Sequence, residues 1–174
     1  MFAEYYDNEN FLGDGLKIIE KNVNFDWTGR MPYEGLDEEN FSIKFQGFLK
    51  VPVSGYYQFI AEIDDGCALF VNDQIVINHK MKNRTNDNLL TVNSPFGEKN
   101  SDEIFLVGGL KYEFRFLVYH SVHNSFYEDG KAYAKLFWKS NQFHQDIIRE
   151  ENFYLGNKIP PLKLSNYQVI LIFI

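Results

Sequence analysis

Two adjacent aspartates, Asp64 and Asp65, are the residues of this chain whose types and spacing most readily support chemistry. They stand with Gly66 between two runs of strand-forming residues, 60–63 and 67–71. Carboxylates are hard oxygen donors, and calcium takes about six to eight oxygen ligands in proteins. The pair therefore predicts part of a calcium site, whose remaining ligands must come from other parts of the fold or from a bound ligand.

The backbone at Asp64 and Asp65 must leave regular strand geometry if both carboxylates are to converge on one ion. In a strand, adjacent side chains point to opposite faces. Gly66 eases the departure, because glycine adopts backbone angles that are closed to other residues. An ordinary Asp-Asp-Gly turn explains the same three residues and remains an alternative, since Asp and Gly are common in chain reversals.

The sequence offers few other chemical motifs. His120 and His123 are close in sequence, but no helix is expected there to align them as zinc ligands. Cys67 is the single cysteine, which excludes an internal disulfide and any Cys-x-x-Cys site. There is no HExxH sequence, phosphate-binding loop or nucleophile elbow, and no motif places a carboxylate pair for glycoside hydrolysis. The sequence therefore favours a binding protein over an enzyme.

Composition and charge narrow the class of protein further. The chain has 174 residues, of which 45% are hydrophobic and 17% aromatic, enough to bury the core of one domain. Its formal net charge of -7 argues against a nucleic-acid partner, which needs a clustered basic surface. The apolar run 169–174 is far shorter than the roughly 20 residues of a membrane helix, so no direct membrane insertion is expected. The first residues carry no signal-peptide pattern.

Short alternating segments must position the two aspartates. Residues 41–51 alternate apolar and polar side chains in their first half, and 56–63 and 112–119 place apolar side chains at alternate positions, the pattern of half-buried strands. Asn72-Asp73 is suited to a type I′ hairpin turn. Many short strands with turn residues between them predict an all-β fold, an antiparallel β-sandwich. We expect one core between its sheets that contains Tyr57, Phe59, Ile63, Leu69, Val71, Phe114, Phe116, Leu136 and Trp138.

Two further expectations concern the connections. Gly108-Gly109 is interpreted as the turn of a hairpin that joins Ile104–Leu106 to the strand from Tyr112, and residues 146–152 as a brief helix. The segments 78–103 and 120–131 are long polar connections, which are usually functional or mobile.

Several motifs occur in an order that resembles the PA14 domain, named after the protective antigen of anthrax toxin. The resemblance runs from about Phe2 to about Tyr154. It implies an antiparallel β-sandwich of a type found in bacterial toxins, glycosidases and yeast flocculation adhesins. The motifs are Glu4-Tyr5-Tyr6-Asp7-Asn8, Phe25-Asp26-Trp27, Asn40-Phe41-Ser42, Ser54-Gly55-Tyr56-Tyr57-Gln58-Phe59, Asp64-Asp65-Gly66, Leu69-Phe70-Val71-Asn72-Asp73, Gly109-Leu110-Lys111-Tyr112 and Leu136-Phe137-Trp138.

The same resemblance implies a ligand set. In the sugar-binding adhesins, two adjacent aspartates joined by a cis peptide coordinate calcium, and the ion coordinates sugar hydroxyls. Asp64 and Asp65 match that pair. A second loop completes the adhesin site with an asparagine and backbone carbonyls, and Asn124 is the first choice for that ligand here, with Glu128 and Asp129 as further ligand-binding candidates.

The resemblance thus implies a non-catalytic, calcium-dependent carbohydrate-binding or adhesion module, with a glycan or glycoprotein as its partner. An extracellular or cell-surface location is implied by the family in the same way. The alternative is a PA14-type protein-interaction or packing domain of a larger secreted protein, without sugar binding. We expect residues 1–156 to form the domain and residues 157–174 to form a C-terminal tail.

Overall fold

The computed structural model of the chain describes residues 1–79, 97–121 and 131–156. These residues form two sheets that enclose a shared apolar core, which confirms the all-β antiparallel sandwich. Within the described ranges, the helical structure is limited to one 3-10 turn, Glu150–Asn152. None of the helical structure described there is long and apolar enough to cross a membrane.

Thirteen strands make up the two sheets of the described chain. The first sheet has the order β2-β1-β4-β10-β6-β7, and β13 also pairs with β4. The second has the order β12-β11-β5-β8, and β3 and β9 pair with β11 and β5. The strands are β1 (Phe2–Tyr6), β2 (Leu16–Ile19), β3 (Asn24–Asp26), β4 (Asn40–Lys50), β5 (Gly55–Ile63), β6 (Gly66–Val71), β7 (Gln74–His79), β8 (Gly97–Asn100), β9 (Ile104–Leu106), β10 (Lys111–Ser121), β11 (Tyr133–Ser140), β12 (Phe143–Ile147) and β13 (Phe153–Tyr154).

The core forms where the alternating faces of the two sheets meet. All nine side chains expected there are buried and belong to one contiguous cluster, so the predicted register is confirmed. Trp27 and Trp138 lie in the same cluster. A smaller apolar cluster of Ala68, Phe70, Leu117 and Tyr119 lies separately from this core. Along β10 the side chains therefore alternate between the two clusters.

Of the two hairpin turns predicted from local sequence, one is confirmed and the other is wrong. Asn72 and Asp73 both have positive φ values, 48° and 59°, as the expected turn between β6 and β7 requires. Gly108-Gly109 is different, and the hairpin prediction there is wrong. β9 pairs with β5 in the second sheet and β10 pairs with β4 and β6 in the first, so this turn carries the chain from one sheet to the other.

The expectation of a brief helix over residues 146–152 is also wrong for its first half. Residues 143–147 form strand β12 at the edge of the second sheet, paired with β11. Only Glu150–Asn152 turns helically, as one 3-10 turn. Asn152 fixes that turn by donating from Nδ2 to the Lys50 carbonyl, at 3.0 Å.

Candidate functional site

Asp64 and Asp65 form one of the connections between the two sheets. β5 of the second sheet ends at Ile63, and β6 of the first sheet begins at Gly66. The two residues therefore carry the chain across the sandwich and do not reverse it within one sheet. This topology excludes a hairpin within one sheet, and a turn between the sheets without a bound ion remains the alternative.

The backbone at Asp65 leaves regular strand geometry, as expected from the sequence. Its φ is 27°, in the left-handed region that aspartate tolerates better than most residues. The peptide between Asp64 and Asp65 is trans, so the cis bond implied by the family resemblance is not found in this structure. The left-handed angle at Asp65 makes the turn instead.

Both aspartates are buried, with 6% and 3% of their surface exposed. Oδ1 of Asp64 accepts a hydrogen bond from the Asp65 amide at 3.1 Å. Oδ2 of Asp65 accepts one from the Ser121 amide at 2.8 Å, and the Asp64 amide donates to the Tyr133 carbonyl at 3.2 Å. The pair is thereby bonded to the last residue of β10 and the first residue of β11.

Gly66 lies directly under the ring of Tyr119, its neighbour across the β6–β10 pairing. A Cβ at position 66 would collide with the Tyr119 ring. Glycine is needed here for close approach, because its φ is not among the positive values of the chain.

The imidazole of His120 lies beside the carboxylate of Asp65. Its Nδ1 lies 3.1 Å from Oδ2 of Asp65, and its ring packs at 5.4 Å from that of Phe41. The separation is short enough for a hydrogen bond, but the ring N–H is not aimed directly at the oxygen. Sequence reasoning placed this histidine in a loop, whereas it is the penultimate residue of β10. Continuing the alternation of Phe114, Phe116 and Val118 would have put it on the inner face.

The strand ends around the two aspartates are also the points from which two long connections leave. Ile63 pairs with Gly97, and Cys67 pairs with His79, so the connection 80–96 begins and ends beside the pair. The connection 122–130 does the same, because it follows Ser121 and returns close to Tyr133. Asn124, Glu128 and Asp129 lie outside the described residues, within this second connection.

The side chains at the crossing match only part of what a calcium ion requires. Two adjacent carboxylates are the hard oxygen ligands that calcium prefers. Within residues 1–79, 97–121 and 131–156, no group of three His, Cys, Asp or Glu side chains could hold a metal ion. Asp64 and Asp65 would supply two ligands of a calcium ion, and the further oxygens that calcium needs would have to come from other groups.

The sequence profile of the PA14 domain family matches residues 1–168. The chain therefore belongs to the PA14 domain family. The match is consistent with the two-sheet architecture and with the motif order of the sequence.

Individual relatives point to two kinds of protein. The chain is 26% identical over 164 residues to the anti-sigma-I factor RsgI3 of Acetivibrio thermocellus, covering 94% of this chain and 22% of that protein. A solved anti-sigma factor domain-containing protein is similar in structure, with a TM-score of 0.75 and 24% identity, covering 92% of this chain and 49% of that one. A PA14 sugar-binding domain from an RTX adhesin has a TM-score of 0.63 at 16% identity, covering 89% and 97%. The chain thus spans about half or less of the anti-sigma relatives.

Proposed function

We propose that this PA14 domain is a non-catalytic, calcium-dependent carbohydrate-binding module of an extracellular or cell-surface protein. The observation that carries the proposal is the pair of buried carboxylates at the crossing between the sheets, with Asp65 in left-handed backbone geometry. The similarity to a sugar-binding PA14 domain of an adhesin supports a glycan as the partner.

In this proposal, Asp64 and Asp65 are the anionic ligands and Asn124 supplies an amide oxygen, with Glu128 and Asp129 near the ligand. Calcium, when bound, supplies coordination positions for two neighbouring sugar hydroxyls. The amides of Asp65 and Ser121 each hold one carboxylate oxygen, which orients the two ligands before binding. Pre-oriented ligands lose less freedom on binding, which favours affinity.

Calcium titration of the protein and of two matched variants tests the proposal. Asp65→Asn removes a charge at the site, whereas Asp73→Asn removes one from the exposed β6–β7 turn. Both positions have positive φ, which Asn tolerates as well as Asp. Saturating calcium should raise the Tm of the parent and of Asp73→Asn by mass action. Asp65→Asn should weaken calcium binding at least about tenfold, because affinity depends on ligand charge.

A glycan array completes the test. The parent should bind a sugar with calcium and lose it with chelator, and Asp65→Asn should lose it in both conditions. Sugar binding that persists in chelator would overturn the calcium mechanism. A parent whose Tm is unchanged by millimolar calcium would overturn the proposed function.

The second candidate is a protein-interaction or packing domain without sugar binding. The observation that favours it is the similarity to anti-sigma factors, of which this chain matches only a part. A domain of that kind would pack against other parts of a larger protein, or against a partner protein, and would need no ion. It predicts no change in Tm with calcium and no glycan signal, so the two experiments above separate the candidates.

A further inference from the structure

His120 occupies a position that the strand pattern would assign to an apolar residue. Phe114, Phe116 and Val118 precede it at alternate positions of β10, and all three lie in the main core. His120 itself is 9% exposed and paired across the sheet with Phe41. An imidazole at the end of an apolar row costs desolvation unless its polar atoms are used.

The polar atom that faces the site is Nδ1. It lies 3.1 Å from Oδ2 of Asp65 and has no other hydrogen-bond partner within the described chain. The Ser121 amide reaches the same oxygen at 2.8 Å. Two consecutive residues of β10 thus place a nitrogen atom within 3.1 Å of one oxygen of Asp65, and a planar carboxylate held at one oxygen has its other oxygen oriented as well.

We infer that His120 is the positioning residue for Asp65, holding its carboxylate in the orientation that coordinates the ion. The inference rests on the proposed calcium site and adds a residue that the family resemblance did not provide. The misalignment of the ring N–H does not oppose it, because such bonds often tighten only when the ligand is bound. Groups that orient metal ligands typically contribute 10- to 100-fold to metal affinity.

Two substitutions separate positioning from packing. His120→Asn retains a side-chain N–H close to the place of Nδ1, whereas His120→Leu keeps a comparable volume without a donor. We expect His120→Leu to weaken calcium binding at least about tenfold in calorimetric titration. The calcium affinity of His120→Asn should stay much closer to that of the parent. His144→Leu, on the exposed edge strand β12, should have the same calcium affinity as the parent.

A spectroscopic measurement tests the contact without calcium. Ring-nitrogen NMR shifts of the calcium-free protein should show a proton on Nδ1 of His120, since the neighbouring acceptor Oδ2 of Asp65 favours a donor at that nitrogen. A proton on Nε2 alone, or equal calcium affinity in His120→Leu and the parent, would overturn the inference and leave the proposed function intact. A parent that binds no calcium overturns the proposed function, and the positioning role with it.

Discussion

Three consecutive residues at the sheet crossing have separate physical tasks. Asp64 and Asp65 supply charge and bend the chain, and Gly66 lets the crossing chain lie against the ring of Tyr119. The ring is buried, with 3% of Tyr119 exposed, so it has little room to move aside. Residue 66 therefore couples the site to the packing of β6 on β10.

Gly66→Ala should destabilise the protein by about 1 to 3 kcal/mol, the usual cost of overpacking a tight contact. The free energy of unfolding from urea titrations measures it. Combining Gly66→Ala with Tyr119→Val, which removes the ring, should recover part of the loss of the first substitution. Purely additive losses would show that the Tyr119 ring is not the cause.

At the scale of elements, a charged row ties together the three strands β2, β1 and β4. Glu4 of β1 is directly opposite Lys17 and Lys44, and its Oε2 lies 3.2 Å from Nζ of Lys44. The Tyr6 hydroxyl donates to the same oxygen. Burial would raise the pKa of Glu4, but the Tyr6 hydrogen bond and the two lysines outweigh it and lower the pKa.

Because the pKa of Glu4 is lowered, the stabilisation that this charged row gives the fold depends on pH. The stabilisation from the Glu4 charge is fully present above the pKa of an unfolded glutamate, about 4.3, and is lost as the pH falls through the folded value. Glu4→Gln should therefore cost about 1 to 3 kcal/mol at pH 7 and progressively less in acid. Urea titrations at several pH values check this. A cost independent of pH would mean that shape, and not charge, holds the row.

Sequence reasoning succeeded where structure is local and periodic. The alternation in β5 and β10 identified the core, and Asn72-Asp73 identified its turn, because each depends on neighbouring residues. The glycine pair 108–109 was misread, since sheet membership depends on partners far along the chain. Likewise the sequence singles out Asp64 and Asp65 as a pair, but the hydrogen bond from the Ser121 amide to Asp65, 56 residues away, carries no local pattern.

Across the whole molecule, the two ends of the sandwich differ. One end carries the crossing at Asp64-Asp65 and the strand ends from which the two long connections leave. The opposite end carries the Gly108-Gly109 crossing, where the Gly109 amide donates to the Val51 carbonyl and nearby Val53 and Val107 are exposed. An ion bound at the first end would therefore link the two sheets there and leave the second end unaffected.

Amide hydrogen exchange with calcium and with chelator should reveal that asymmetry. At calcium a hundredfold above its Kd, any opening that releases the ion is disfavoured by about 2.7 kcal/mol, so exchange through it slows about a hundredfold. The amides of Asp64, Asp65 and Ser121 should slow in this way, because their bonds surround the crossing. The Gly108 and Gly109 amides should keep their rates, because a local opening at the far end would not release the ion. Equal slowing at both ends would contradict a localised ion, and slowing at the far end alone would place the ion elsewhere.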